Sequence, residues 1–292
     1  MKAAPFDYVR AGSIGEACEL LRQDGDAIKL IAGGQSLVPM MAMRLARPSR
    51  LVDINEIAAL KFVALEPDIV RIGACTRQCV LEQNDALAAR VPLLRQALAL
   101  VGHVQTRNRG TIGGSVAHAD PAAELPLAAQ VLGARMMLRS TAGVRCVPAE
   151  AFFAGPLATA IEPHECLEEI HWPVWSEHRI GSAFTEVSRR HGDFAIVAAA
   201  AQIAVGDDGR CIRANFGLGG GGQTPLAFPG LAAHLLGTRM DAAVVQSVAQ
   251  DAAVELDPGN DLHASAGYRK RLAAVLAART LRTAYELARG KP

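Results

Sequence analysis

The sequence has no charge imbalance to speak of: across 292 residues, 30 Lys and Arg stand against 29 Asp and Glu, a net +1, and the basic residues are spread along the chain. That excludes the strong field that draws a nucleic acid backbone or an anionic membrane surface. No stretch approaches eighteen uninterrupted apolar residues, and the N-terminus carries no apolar core of signal-peptide length. The expectation is a soluble, cytoplasmic chain with no stable membrane insertion. Cysteines are few and scattered (Cys18, Cys75, Cys79, Cys146, Cys166 and Cys211). None of them forms the C-x4-C-x2-C spacing of a [2Fe–2S] site or a Cys/His zinc cluster, so they read as reduced, mostly buried thiols and no metal ligand is assigned. The histidines are equally dispersed. G-x-G-x-x-G, G-x-x-x-x-G-K-[ST] and G-x-S-x-G are all missing, which removes support for a Rossmann NAD site, a P-loop and a hydrolase elbow.

Half of the residues are hydrophobic, enough to bury a substantial core, and the length suits two domains. Short β-type runs at 28–31, 51–54 and 69–74 alternate with helical text at 36–45 and from Val80 to about Val101, which predicts an α+β or α/β sheet. Ser36 is placed as the cap of the first of these helices, and Asp120-Pro121 as the start of a later one. Strand text resumes at 135–140, 144–148 and 167–173. Pro173 and the polar S-E-H-R after it mark a boundary. Beyond it, 181–189 and 196–205 read as antiparallel strands joined by R-H-G-D, with G-D-D-G making the next turn. The chain closes on an amphipathic helix from about Ala266, whose apolar positions are Leu272, Val275, Leu276, Leu281 and Leu287.

The sharpest features are A-G-G-Q-S at 32–36 and T-I-G-G-S at 111–115. In each, glycines allow the backbone to approach a ligand closely and to aim N–H groups at one point, which suits a phosphate. Singly, each is also what an ordinary strand-to-helix turn looks like. Two in one domain can converge on the two phosphates of one dinucleotide. Arg107 and Arg109 flank the second loop, either as partners of such a ligand or as anchors for the loop itself.

These residues also carry a resemblance. K-L-I-A-G-G-Q-S-L-V-P-M-M, R-N-R-G-T-I-G-G-S-V-A-H-A-D-P-A-A-E-L-P, A-F-T-E-V-S-R-R-H-G-D-F-A-I-V and H-A-S-A-G-Y-R together resemble the FAD-binding medium subunit of the xanthine dehydrogenase and carbon monoxide dehydrogenase family, the molybdenum hydroxylases. The resemblance covers nearly the whole chain. It implies an α+β fold of the vanillyl-alcohol oxidase type over residues 1–175, with subdomains of about 1–56 and 57–175. A smaller C-terminal α+β domain of antiparallel sheet and helices would follow over 176–292. It further implies non-covalent FAD held by Ala32, Gly33, Gly34, Gln35, Ser36 and Leu37 in the first loop and by Thr111, Ile112, Gly113, Gly114 and Ser115 in the second. Ala117 and His118 would border the cofactor, and Glu124 would hydrogen-bond a polar part of it. Val101, Leu167, Asp193 and Phe194 would lie near the isoalloxazine, although Val101 and Leu167 taken alone read as plain core.

By the same resemblance the molybdenum cofactor and the [2Fe–2S] clusters belong to a large and a small partner subunit. The assembly would be a dimer of heterotrimers, in which this chain passes electrons from the iron–sulfur subunit to an external acceptor. Two departures stand out. Thr185 occupies the place of a lysine found near the flavin in xanthine dehydrogenases, and Ser115 that of an asparagine or aspartate. The first bears on stabilisation of negative charge on the reduced flavin. Two other readings remain at this point: a self-sufficient flavin oxidoreductase of the same fold, and a non-catalytic nucleotide-binding module.

Overall fold

A computed structural model describes residues 2–24 and 27–290. Its first region is a small parallel sheet. β1 (Asp7–Arg10) and β2 (Ile28–Ile31) both pair with β3 (Arg50–Asp53) between them, so two crossovers are needed, and α1 (Ile14–Asp24) and α2 (Leu37–Ala42) lie in them. The start of α1 is a reciprocal cap: Glu16 N–H donates to Ser13 Oγ at 3.1 Å, and Gly12 N–H donates to Glu16 Oε2 at 2.7 Å. Ala17, Cys18 and Leu21 on its inner face close a small core with Ile28, Val52, Ile54, Cys75 and Cys166.

The second region is an antiparallel sheet. Its strands are β4 (Val63–Leu65), β5 (Ile69–Gly73), β6 (Arg135–Ser140), β7 (Gly143–Pro148) and β10 (Cys166–Pro173), in the order β4-β5-β10-β6-β7, with a hairpin of β8 (Phe153–Gly155) and β9 (Ala158–Thr159) beside it. Between β5 and β6 come α3 (Gln78–Glu82), α4 (Asp85–Arg90), α5 (Pro92–Leu100), α6 (Val104–Arg109), α7 (Ile112–His118) and α8 (Glu124–Leu132); α9 (Ala149–Phe152) follows β7. Val70, Ile72, Leu93, Leu94, Leu98, Leu125, Met136, Ile170 and Trp172 are buried in one core.

The helical text from Val80 to about Val101 forms three short helices. Asn84 accepts from Leu87 N–H at 2.9 Å and restarts the chain as α4, and Pro92 at the first position of α5 starts it again. The helix placed at Asp120-Pro121 begins later: Asp120 Oδ1 accepts from Ala122 N–H at 2.9 Å in a local turn, and α8 starts at Glu124.

In the third region β11 (Ile180–Val187), β12 (Val197–Val205), β13 (Cys211–Gly219) and β14 (Leu226–Ala227) form an antiparallel meander in that order. α10 (Pro229–Ala232), α11 (Ala242–Glu255) and α12 (Ala266–Ala288) follow. Every residue of β12 is buried. Ala198 and Ala200 face the core of the second region, while Val197, Ala199, Ala201 and Ile203 face α11 and α12. This sheet is therefore the wall shared by both layers, and its small side chains let helices approach on either side. The expected apolar stripe of α12 is corrected here. Val275 and Leu287 are exposed, and the buried face is the small-residue row Ala273, Ala277, Ala284 and Ala288 with Leu276, Leu281 and Tyr285. α11 was not foreseen in the sequence.

Candidate cofactor site

The first glycine loop leaves β2 and turns at Gly34, whose φ of 73° lies in the left-handed region that a Cβ disfavours. The N–H groups of Gly33, Gly34, Gln35, Ser36 and Leu37 have no hydrogen-bond partner among the described residues, whereas Val38 N–H already donates to Gly34 O at 3.0 Å. Backbone donors left open side by side make an anion cradle. Ser36 sits at the cap position of α2 but makes no side-chain cap bond, which corrects the role given to it and leaves its hydroxyl free. A cleft of about 470 Å³ opens over this loop, lined by Ala32, Gly33, Gly34, Gln35, Val38, Tyr8, Asp53, Asn55 and Arg109.

The second loop is built differently. Gly110 leaves α6, Thr111 caps α7, and the two glycines lie inside the first turn of that helix. Ile112 N–H donates to Thr76 O at 3.1 Å, Gly113 N–H to Ala74 O at 2.9 Å and Gly114 N–H to Thr111 Oγ1 at 3.0 Å. Here the backbone donors are spent within the protein, against the expectation that both loops would aim them outward. Gly113 is glycine because Ala74 lies against it: a Cβ there would fall 2.7 Å from both Ala74 Cα and Ala74 O. Gly114 is exposed, on the outer side of the same turn.

The two loops meet. A Cβ on Gly33 would lie 2.5 Å from Arg109 O and 2.9 Å from Gly110 Cα, so only glycine allows the contact. Side chains brace it. Asn55 Nδ2 donates to Ala32 O at 2.6 Å, Arg77 Nη2 donates to Asn55 Oδ1 at 2.6 Å, and Arg77 Nη1 donates to Arg109 O. Arg107 is an anchor rather than a ligand partner: its guanidinium is buried, paired with Glu82 at 2.7 Å and bonded to the carbonyls of Val101 and Gly102.

Beyond the second loop, Ala117 and His118 are half-buried on α7, and burial lowers the His118 pKa. Glu124, at the first position of α8, is 3% exposed. Burial pushes its carboxyl up to about 8 against the opposing pull of its own N–H, with Glu186 and Asp120 adding to the rise. Val101 and Leu167 are buried in the core of the second region. Asp193 and Phe194 are exposed in the R-H-G-D-F turn, which reaches back onto the second region: His191 stacks on His103 with ring centroids 5.9 Å apart, and a Cβ on Gly192 would strike the His103 ring. The histidines read as dispersed are in this instance a pair. Thr185 faces the third region's own core side of β11 and pairs with Ala199.

The fold and this geometry agree with the comparisons. Residues 4–175 match the family described as the FAD binding domain in molybdopterin dehydrogenase, and residues 182–284 match the CO dehydrogenase flavoprotein C-terminal domain. The chain belongs to this flavoprotein family. It is 39% identical over 289 residues to the 6-hydroxypseudooxynicotine dehydrogenase complex subunit alpha of Paenarthrobacter nicotinovorans, covering 99% of this chain and 97% of that one. Its identity to the carbon monoxide dehydrogenase medium chain of Afipia carboxidovorans is 37%, covering 98% and 97% respectively. A solved structure of carbon monoxide dehydrogenase from Hydrogenophaga pseudoflava superposes with a TM-score of 0.95 at 36% identity, over 98% of this chain and 99% of that one. The expected fold, an FAD-binding α+β part followed by a domain of antiparallel sheet and helices, is thereby shown, as is the family. The relatives are subunits of dehydrogenases, and this flavoprotein is an oxidoreductase subunit of the same kind.

The residues present fit FAD. The cradle of open N–H groups suits a phosphate, the cleft beside it has room for part of a nucleotide, and the buried Glu124 carboxyl beyond the second loop is bonded to its own N–H, with no other hydrogen-bond partner among the described residues. Sequence reading missed the brace of Asn55 and Arg77, and also Tyr8 and Asp53, which are hydrogen-bonded to each other in the cleft wall. Burial works to raise the Asp53 carboxyl, but hydrogen bonds from Tyr8 and Asn55 hold it below the usual range. No local motif marks these residues, because each is defined by a neighbour far away in sequence. Among the described residues no helix is long and apolar enough to cross a membrane.

Proposed function

We propose that this chain is the electron-transfer subunit of a molybdenum hydroxylase complex. It would hold non-covalent FAD across residues 1–175, with subdomains of about 1–56 and 57–175, and residues 176–292 would form the C-terminal domain. Bound FAD exchanges one or two electrons, so it links one-electron iron–sulfur centres to a two-electron acceptor. The protein's part is binding and orientation. The first loop offers N–H donors to a phosphate, the second fixes the position of the first, and Glu124 meets a polar group of the cofactor. Val101, Leu167 and the Asp193-Phe194 turn border its ring. The observation that carries this reading is the seating of Gly33 on Arg109 and Gly110, which turns two separate glycine motifs into one site.

The partners are a large subunit with the molybdenum cofactor, where substrate is oxidised, and a small subunit with [2Fe–2S] clusters, assembled as a cytoplasmic dimer of heterotrimers. Support comes from the relatives, one named as a subunit of a dehydrogenase complex and another as a medium chain, and from the absence in this sequence of cluster-ligand spacing. Thr185, in place of a lysine, bears on stabilisation of the reduced flavin and so on the choice of acceptor (NAD, a quinone or another).

The test is purification of the native complex with its flavin content measured. About one FAD per copy of this chain is expected. Substrate should reduce that flavin in the complex and leave the isolated, FAD-loaded chain oxidised. Reduction of the isolated chain by substrate would show a self-sufficient enzyme instead.

A further inference from the structure

Glu186 lies within the A-F-T-E-V-S-R run that carries the resemblance, where no role falls to it. It lies near the end of β11, opposite Ala198 of β12. Side chains on a strand alternate between faces, and Phe184 and Ala198 both pack against the core of the second region. The Glu186 side chain therefore points into the seam between the C-terminal sheet and the helices that follow the second loop. There its Oε2 is buried with no hydrogen-bond partner among the described residues.

Glu124, from the start of α8, enters the same seam. It is 3% exposed, and among the described residues its carboxyl is hydrogen-bonded to its own N–H alone. Glu186 and Asp120 are each close enough to raise the Glu124 carboxyl, and burial alone pushes Glu186 up to about 7. Among the described residues no cation offsets them. Asp120 and His118 are the other titratable groups on this side. β12 contributes alanines, α5 contributes Gln96, whose Nε2 is tied to Ser182 O at 3.0 Å, and Arg95 of α5 is turned outward onto Asp85 at 2.7 Å. α12 lies on the other face of the sheet. A buried carboxyl oxygen without a partner, as at Glu186, is a costly group that native proteins seldom leave unused, and a second buried acid in the same seam is tolerated only if protons neutralise the two.

We propose that Glu186 is a further cofactor-binding residue, whose carboxyl, paired with that of Glu124, donates a hydrogen bond to an oxygen or nitrogen of FAD lying in this seam. The inference rests on the proposed function, since it needs FAD to reach from the first glycine loop to Glu124. It gives Glu186 a role that Thr185, its neighbour on the opposite face of β11, does not fill.

The experiment uses the full-length chain in its complex, stripped of flavin and titrated with FAD at pH 6 and pH 9. The variants are Glu186→Gln and Glu186→Ala, with thermal unfolding recorded for each. A donor acts only while protonated, so wild-type affinity should fall as pH rises through the neutral range. Glu186→Gln, which keeps an N–H donor that does not titrate, should hold the pH 6 affinity within about threefold and flatten the fall. Glu186→Ala should weaken binding about tenfold at pH 6, the size of one lost hydrogen bond. Affinity and pH profile in Glu186→Ala equal to wild type would overturn the proposal; should that variant fail to assemble, an unchanged pH profile in Glu186→Gln does the same. A wild-type complex that takes up no FAD at either pH would instead overturn the proposed function.

Discussion

The two glycine loops share a pattern in sequence and differ in what their backbones do. After β2 the chain leaves the N–H groups of residues 33–37 open. At the start of α7 the equivalent groups are consumed by Ala74, Thr76 and Thr111. One loop is a cradle and the other a strut, joined where Gly33 rests on Gly110. A glycine pair therefore has two physical uses, to let a ligand near the backbone or to let another piece of backbone near it. Only the accounting of N–H partners tells them apart.

That contrast is open to direct attack. The largest expected effect is Gly113→Val. Its branched side chain would be driven into Ala74, whose backbone cannot yield without moving the end of β5. Overpacking of this kind costs about 3 kcal/mol, roughly 10 °C in Tm for a chain of this size. The loss should be seen in thermal unfolding of the cofactor-free chain, before FAD binding is considered. A variant of normal Tm that fails only to bind FAD would mean that Gly113 faces the ligand and the strut description is wrong.

Gly34→Ala is the opposite case and a smaller one. An added methyl meets only side-chain atoms that can give by a few tenths of an ångström, the nearest being Val38 Cγ2 at 3.2 Å and Ile31 Cδ1 at 3.4 Å. The penalty is conformational, about 1–2 kcal/mol for a non-glycine residue held at positive φ. If the cradle relaxes to a more ordinary turn, its open N–H groups lose their aim, so FAD affinity should drop on the order of tenfold with little change in Tm. Equal affinity together with a lowered Tm would reverse the assignment of the two loops.

Both loops were legible as loops because G-G after a strand is a local signal. Their division of labour was not, since the acceptors that close the second loop, Ala74 and Thr76, come from a part of the chain more than thirty residues away. The brace is of the same kind: Asn55, Arg77 and Arg109 have no meaning until the fold brings them together. Some misses were readable. Asn84-Asp85 and Val91-Pro92 are ordinary helix starts, and they break the run from Val80 to Val101 where the structure breaks it. On α12 the large apolar residues misled, because the sheet beneath it is lined by alanines and glycine. Close approach selected small residues for the buried face, leaving Val275 outside.

The smallest predicted effect bears on which loop residues touch FAD at all. Thr111 is placed in the cofactor site by resemblance, yet its hydroxyl oxygen already accepts the Gly114 N–H at 3.0 Å as the cap of α7. Thr111→Ala should then cost about 1 kcal/mol of stability, the usual worth of a lost cap, and Thr111→Ser should recover it. FAD affinity should change by less than about threefold in either variant, because the strut would be loosened without removing a ligand donor. The informative failure is a tenfold weaker FAD complex in Thr111→Ala at unchanged Tm. In that event the hydroxyl would serve the cofactor in the loaded state, giving up Gly114 N–H as it does so, and the closed second loop seen here would be one of two states that FAD selects between.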